Sequence, residues 1–236
     1  MSNLFRSSSS SEESEWLSVS DLMAGLMVIF LFIAIVYIRP LVEQRNTIKE
    51  LAIVWQENET KIYEALVEEF PKDELSDWDA KIERDPILIR FEAPEVLFDS
   101  GSTEITPRFE KILDEFFPRY TRRLRPFQDS IEELRIEGHT SSEWEGSENK
   151  QDAYFRNMEL SQGRTRSVLR YVLTDPAIDL DEEWVQNLLT ANGLSSSKRN
   201  FFPDGRENRK ASRRVEFRVS TKARRELVRI LEELDP

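Results

Sequence analysis

The chain reads as an α+β protein on a single membrane anchor, and three observations predict this. Residues 22–38 form an uncharged, almost wholly apolar run. A polar stretch with apolar residues at helical spacing follows it. Beyond residue 85, short β-like runs alternate with helical periodicity, the pattern of a sheet with helices packed on one face. Composition narrows the chemistry further. Among 236 residues there is no cysteine and one histidine, so thiolate clusters, disulfides and histidine-rich metal sites are excluded. A net charge of -12 argues against wholesale nucleic-acid binding, and no direct nucleic-acid contact is expected.

The apolar run comes first. Its seventeen residues reach about 25 Å as a helix, near the short limit for a bilayer, and extension back to Trp16 gives a comfortable span. Trp16 and Tyr37 stand where interfacial aromatic rings prefer to lie, and Arg39-Pro40 ends the run. The preceding residues, with serines at 7–11 and Glu12, Glu13 and Glu15, are acidic rather than basic. They are expected to form a disordered tail before a retained anchor, not a cleaved signal. Arg39, Arg45 and Lys49 after the run, against Arg6 before it, would by the positive-inside rule put the C-terminal part in the cytoplasm. Asp21 sits at the edge of the run. A carboxylate there is costly unless it faces a partner, a cavity or water, and such a group is suited to taking up and releasing a proton. The alternative is that Asp21, with Ser18 and Ser20, caps the start of the helix.

Residues 41–83 carry twelve acidic and five basic side chains. Leu41, Ile48, Trp55 and Ile62 recur every seven residues, which predicts a short coiled coil or a helix resting on a partner, ended by Phe70-Pro71. Residues 86–91 then read as a strand that 96–98 extends, and Thr106-Pro107 has the cap-plus-proline start of a helix. Phe109, Ile112, Leu113, Phe116 and Phe117 give that helix its apolar face. A second strand is expected at 131–138, ending at His139-Thr140, and a polar loop at 141–152. A helix carrying Met158, Leu160, Val168, Leu169 and Val172 follows, then a short one at Trp184, Leu188 and Leu189. A strand at 213–220, with Val215, Phe217 and Val219 alternating against charge, and a helix over 221–234 close the chain. The expected organisation is a tail at 1–15, a transmembrane helix at 16–39, a helical linker at 40–84 and a folded domain at 85–236.

Enzyme chemistry finds little support. His139 is a candidate general base or a turn residue making a structural hydrogen bond. Glu143, Glu145 and Glu148 form a solvated acidic loop, a weak candidate for a cation. No phosphate-binding, zinc or dinucleotide motif occurs, so neither metal nor cofactor is expected. Residues 198–229 reverse the overall charge, with twelve basic and four acidic side chains, and suit phosphates, a carboxylate-rich polymer or an acidic partner.

Four ordered motifs carry a family resemblance over residues 85–220. They are Val96-Leu97-Phe98-Asp99-Ser100-Gly101 with Ile105-Thr106-Pro107, then Gly138-His139-Thr140, then Asn157-Met158-Glu159-Leu160-Ser161-Gln162-Gly163-Arg164, and finally Arg213-Arg214-Val215-Glu216. Together they resemble the signatures of OmpA-like peptidoglycan-binding domains. The resemblance implies an α/β sandwich whose groove takes the diaminopimelate carboxylate of the stem peptide on Arg164, with Asn157, His139, Thr140 and Ser141 around it. Ser141 stands where the family usually has an acidic residue reading the ligand's ammonium group.

The N-terminal half adds to this. Trp16-Leu17-Ser18-Val19-Ser20-Asp21-Leu22-Met23 is similar to the corresponding segment of MotB-like, B-type stator subunits. This implies that Asp21 carries protons in a channel made with a multi-helix A-type subunit, five A chains around two B chains. It also implies a self-dimer in the inner membrane, with the N-terminus cytoplasmic and the folded domain periplasmic, opposite to the charge count. Within that group, the acidic serine-rich start and Asp21-Leu22-Met23-Ala24-Gly25-Leu26-Met27 most resemble the B subunits of Zorya anti-phage systems. A flagellar stator subunit and a passive envelope tether remain the alternatives.

Overall fold

The computed structural model describes residues 9–92, 94–175 and 182–222. The chain divides into two units between residues 53 and 54. Helix α1 (Ser9–Glu69) begins within the stretch assigned to a disordered tail, so residues 9–15 are helical. The rest of that tail, residues 1–8, and the expected helix beyond residue 222 lie outside the described residues.

In the first unit, Val19–Arg45 is one helical stretch long and apolar enough to cross a membrane. Its 27 residues measure about 40 Å, and its apolar side chains are exposed on every face rather than on one stripe. Pro40 ends the apolar run but not the helix.

The second unit begins earlier than expected. Ile62, Leu66 and Phe70 repeat every four residues, and all three are buried in the domain core with Leu75, from the short helix α2 (Lys72–Asp77), and Trp78. The linker expected at 40–84 is therefore partly domain, and Ile62 packs in this core instead of ending a coiled-coil seam. One apolar stripe on a very polar helix satisfies either reading from sequence. Arg119 fixes the turn after the helix: its Nε donates to Glu69 at 2.8 Å, its Nη2 to Glu74 at 3.1 Å, and its guanidinium lies 4.8 Å over the Phe70 ring.

Five strands form one sheet in the order β1-β2-β5-β3-β4. They are β1 (Ala80–Glu83), β2 (Leu88–Phe91), β3 (Ile131–His139), β4 (Leu189–Gly193) and β5 (Arg214–Thr221). Two of them, β1 and β4, were not expected. β1 lies inside the supposed linker, and Leu189, taken for a helix, opens β4, which pairs parallel with β3 through Leu134↔Leu189. Residues 94–97 form a short helix, α3 (Pro94–Leu97), rather than a strand extension; only Phe98 bridges, to Ile105.

Helix α4 (Pro107–Leu124) starts as expected, with the Thr106 hydroxyl accepting from Phe109 N at 3.2 Å. Its apolar face meets the sheet through edge-on contacts of Phe109 and Phe116 with Phe91 and of Phe116 with Phe217, and through a tilted contact of Phe117 with Phe217. Helix α5 (Lys150–Thr174) is capped by Asn149, whose side chain accepts from Gln151 N and Asp152 N. Asn157, Ser161, Arg164, Thr165, Val168 and Val172 form its buried face at helical spacing. Both helices cover the sheet face carrying Leu134, Ile136, Val215 and Phe217. Gly138 allows the close approach of α5: a Cβ there would lie 2.7 Å from Thr165 Cγ2 and 3.0 Å from Ser161 O.

Candidate functional site

At one end of the domain a groove of about 610 Å³ opens between the turn at 98–101, the loop at 140–145, helix α5 and the segment at 209–213. Arg164 of α5 forms its base and is only 8% exposed. Its Nε donates to Ser102 O at 2.9 Å, its Nη2 to Asp99 O at 3.1 Å, and it stacks 4.8 Å over the Phe98 ring. Among the described residues no carboxylate pairs with it. Burial, with the Arg213 charge added, brings its pKa down to about 10, so it stays charged at neutral pH. Two carbonyls orient the fork and leave its charge for something else. Gly163 admits the turn that supplies them, since a Cβ there would meet Thr103 Cγ2 at 2.6 Å.

The opposite wall is built by short-range chemistry. Asn157, 3% exposed, donates from Nδ2 to Glu143 O at 3.0 Å, so it positions the loop. Ser142 N donates to Glu207 Oε1 at 3.0 Å. The Glu143 carboxylate, held over the groove, pairs with Arg209. Thr140 is buried, and its Oγ1 has no hydrogen-bond partner among the described residues. A buried hydroxyl without a partner at a groove wall is a polar group that a ligand can satisfy. Of the residues picked from sequence, Arg164, Asn157, Thr140 and Ser141 come together here. Arg209 and Arg213 were legible only as part of a basic run, and Glu143 only as part of an acidic loop.

His139 is the exception. Side chains alternate along β3, so it faces the other side of the sheet from its neighbour Gly138. There it is 4% exposed, with Nε2 3.3 Å from Glu216 Oε2 and 3.8 Å from Glu137 Oε2. It does not line the groove. This face carries like charges directly opposite one another, Arg135↔Arg218 and Glu137↔Glu216, relieved by diagonal partners. Glu216 accepts from Arg214 Nε at 2.6 Å and from Arg90 Nε at 2.9 Å; Glu137 accepts from Arg135 at 3.2 Å. Burial alone would push the Glu216 carboxyl up. The His139 and Arg214 side chains more than offset it and hold the group well below the usual carboxylate range. Burial, reinforced by the Arg214 charge, lowers the His139 pKa against the pull of both carboxylates.

Glu137, His139 and Glu216 bring ligand-type atoms within 4.8 Å of one another. Yet Arg218 Nη2 already stands 3.2 Å from Glu137 Oε2 and 3.5 Å from Glu216 Oε2. A guanidinium fills the role of the cation, so these residues are a poor fit for a metal ion.

In the first unit, Asp21 lies well inside α1, two residues into the stretch suited to a membrane, and is exposed. The helix starts at Ser9, so Asp21 is not an N-cap.

No family model matches the chain. Among solved structures it is similar to a MotB-like protein from Desulfovibrio vulgaris, at 22% identity, with 74% of this chain and 95% of that chain covered and a TM-score of 0.45. It is also similar to the periplasmic domain of Helicobacter pylori MotB, at 18% identity, with 63% and 87% covered and a TM-score of 0.42. Among curated proteins it is 46% identical over 222 residues to the Zorya protein ZorB of Escherichia coli (Crooks strain), covering 94% of each chain. With nearly half the residues identical along almost the whole of both sequences, the chain belongs to the ZorB family.

Proposed function

We propose that this chain is the B-type subunit of a proton-driven membrane motor serving anti-phage defence, and that its folded domain holds the motor to peptidoglycan. It is a motor and anchoring subunit rather than an enzyme. The observation that carries the reading is the pairing, in one chain of the ZorB family, of an acid within a membrane-length helix and a charged arginine at the base of an open groove.

The anchor crosses the inner membrane once, with its N-terminus in the cytoplasm and the folded domain in the periplasm. Two copies stand inside a ring of five multi-helix A-type subunits. Asp21 takes a proton from the outer side and is neutralised, which removes the cost of a charge against apolar surroundings. It releases the proton inward as the ring moves around the pair. In the periplasm Arg164 offers its free donors to the terminal carboxylate of a stem peptide, and Thr140 and Ser141 supply hydroxyls beside it. Glu143 supplies the carboxylate that Ser141 does not, facing the ligand's ammonium group once its pair with Arg209 opens.

The test is proton flux through the chain reconstituted in vesicles with its co-purifying multi-helix partner. Native complex should pass protons, and Asp21→Asn should assemble equally and pass none. Equal flux from the two complexes would remove Asp21 as the carrier, and no flux from the assembled native complex would leave a passive tether.

A further inference from the structure

Beyond helix α1, three large apolar side chains are exposed among the described residues: Phe155, Phe201 and Phe202. Two of them are neighbours at the tip of a hairpin, residues 200–208, with 55% and 46% of their surface exposed. The hairpin is built to hold them there. Phe201 bridges to Glu207, Phe202 N donates to Arg206 O at 2.8 Å, and Gly205 N donates to Phe202 O at 2.9 Å. At the base, Asn208 N donates to Asn200 O at 2.8 Å, Asn200 Nδ2 to Ala211 O at 2.7 Å, and Arg214 Nη1 to Lys198 O at 3.0 Å. Charge is sorted as well. Arg206 pairs with Asp204 across the turn, and Ser142 N holds the Glu207 carboxylate at the base. Lys198 and Arg199 are exposed and have no acidic partner among the described residues. The Arg199 guanidinium lies 5.4 Å over the Phe201 ring. The groove takes Arg209 and Arg213 from the basic run at 198–229 and leaves these two cations beside the rings.

Two rings kept in water, at a cost, next to uncompensated positive charge suit a phase that is apolar inside and anionic at its surface. We infer that the hairpin tip docks on a phospholipid surface carrying anionic headgroups. Phe201 and Phe202 enter the boundary between headgroups and acyl chains, and Lys198 and Arg199 meet the phosphates. Other occupants fit less well. A polyanion alone would meet the two cations and leave the rings in water. A partner strand would need backbone donors at the tip, and those of Phe202 and Gly205 are spent within the hairpin. A convex tip needs no preformed pocket in a soft surface. Helix α1 tethers the domain to a bilayer, so even a weak contact is populated. This docking is independent of what fills the groove.

The experiment uses the full chain, its anchor seated in a phosphatidylcholine nanodisc, and measures flotation with added vesicles against empty discs. Vesicles of phosphatidylcholine mixed with phosphatidylglycerol should bind the chain about tenfold more tightly than phosphatidylcholine alone, and salt should weaken the binding. Phe201→Ser combined with Phe202→Ser should lose at least about tenfold, the effect of one ring returned to water, with the urea unfolding midpoint unchanged. Lys198→Gln combined with Arg199→Gln should lose the preference for phosphatidylglycerol. Because the chain has no cysteine, Pro203→Cys carries a single environment-sensitive dye at the tip, and its emission should shift to the blue on the anionic vesicles. Binding that survives the double phenylalanine substitution would mean that charge alone holds the vesicles, and would overturn the inference. A dye that still reports water while vesicles are bound would place the contact elsewhere and overturn it too. So would equal binding to the two kinds of vesicle, or binding to neither.

Discussion

Two clusters of arginines and glutamates lie in the same domain and behave in opposite ways. On the open face of the sheet, Glu83, Glu133, Glu137 and Glu216 meet Arg90, Arg135, Arg214 and Arg218, and each carboxylate is paired. Glu216 and Glu137 are 1% and 3% exposed there, yet the charges cancel within the cluster. In the groove, Arg164 is almost as buried but is held only by neutral carbonyls, with Arg213 adding a second positive charge nearby. Burial of charge is therefore no signature of function by itself. Matched charge holds strands together, whereas unmatched and oriented charge, kept at a cost in stability, is what a ligand can complete.

The sharpest way to break this contrast is to unmatch the matched cluster. Glu216→Ala leaves Arg214 buried and deprives Arg90 of an acceptor as well, and removal of one partner from such a network costs about 3–5 kcal/mol. Urea unfolding of the full chain in detergent should show the loss as a lower midpoint. A change under about 1 kcal/mol would mean that water screens this face as it does an exposed ion pair, and the contrast would collapse.

The complementary change removes the unmatched charge. Arg164→Ala should lower the unfolding midpoint less than Glu216→Ala does, because no buried charge is left without its partner, although the bonds to Ser102 O and Asp99 O and the stack on Phe98 go with it. Binding to purified peptidoglycan sacculi should weaken by about 2 kcal/mol, roughly thirtyfold, the size of a lost charge-assisted contact. Arg164→Lys, which keeps the charge but loses the planar fork, should recover only part of it. A large loss of stability with unchanged binding would make Arg164 a structural residue like Arg214.

Much of this was legible in the sequence, and the exceptions have physical reasons. Thr106-Pro107 announced α4 because capping is local, and its five apolar residues were identified because their spacing fits only one face of a helix. Asn157 and Arg164 could be placed together because one motif carries both, and two turns of α5 set them on its buried face. β4 escaped because its five residues, Leu189–Gly193, include Asn192 and Gly193 and show no alternation; parallel pairing with β3 makes them a strand. The domain's true start escaped because Ile62, Leu66 and Phe70 fit a stalk as well as a core. His139 was misplaced through its motif. Gly-His-Thr marks a strand end correctly, but a period of two sends alternate side chains to opposite faces, and the histidine joined the matched cluster.

The smallest effect concerns that histidine. Its pKa in the folded chain is lowered from 6.5, chiefly by burial, so the folded state binds fewer protons than the unfolded state as pH falls through 6.5. Stability is then highest above 6.5 and declines below it, at a rate approaching about 1.4 kcal/mol per pH unit. Glu216 adds a separate decline below 4.5, where the unfolded carboxyl takes up protons before the folded one. His139→Gln should flatten the profile between pH 6.5 and 5 and also soften the loss below 4.5, because His139 is one of the groups that hold the Glu216 carboxyl down. The opposite slope, with stability rising as His139 gains a proton, would mean that Glu137 and Glu216 outweigh burial and the Arg214 charge at the imidazole. The sheet face would then carry unmatched negative charge and behave, like the groove, as a site awaiting a partner.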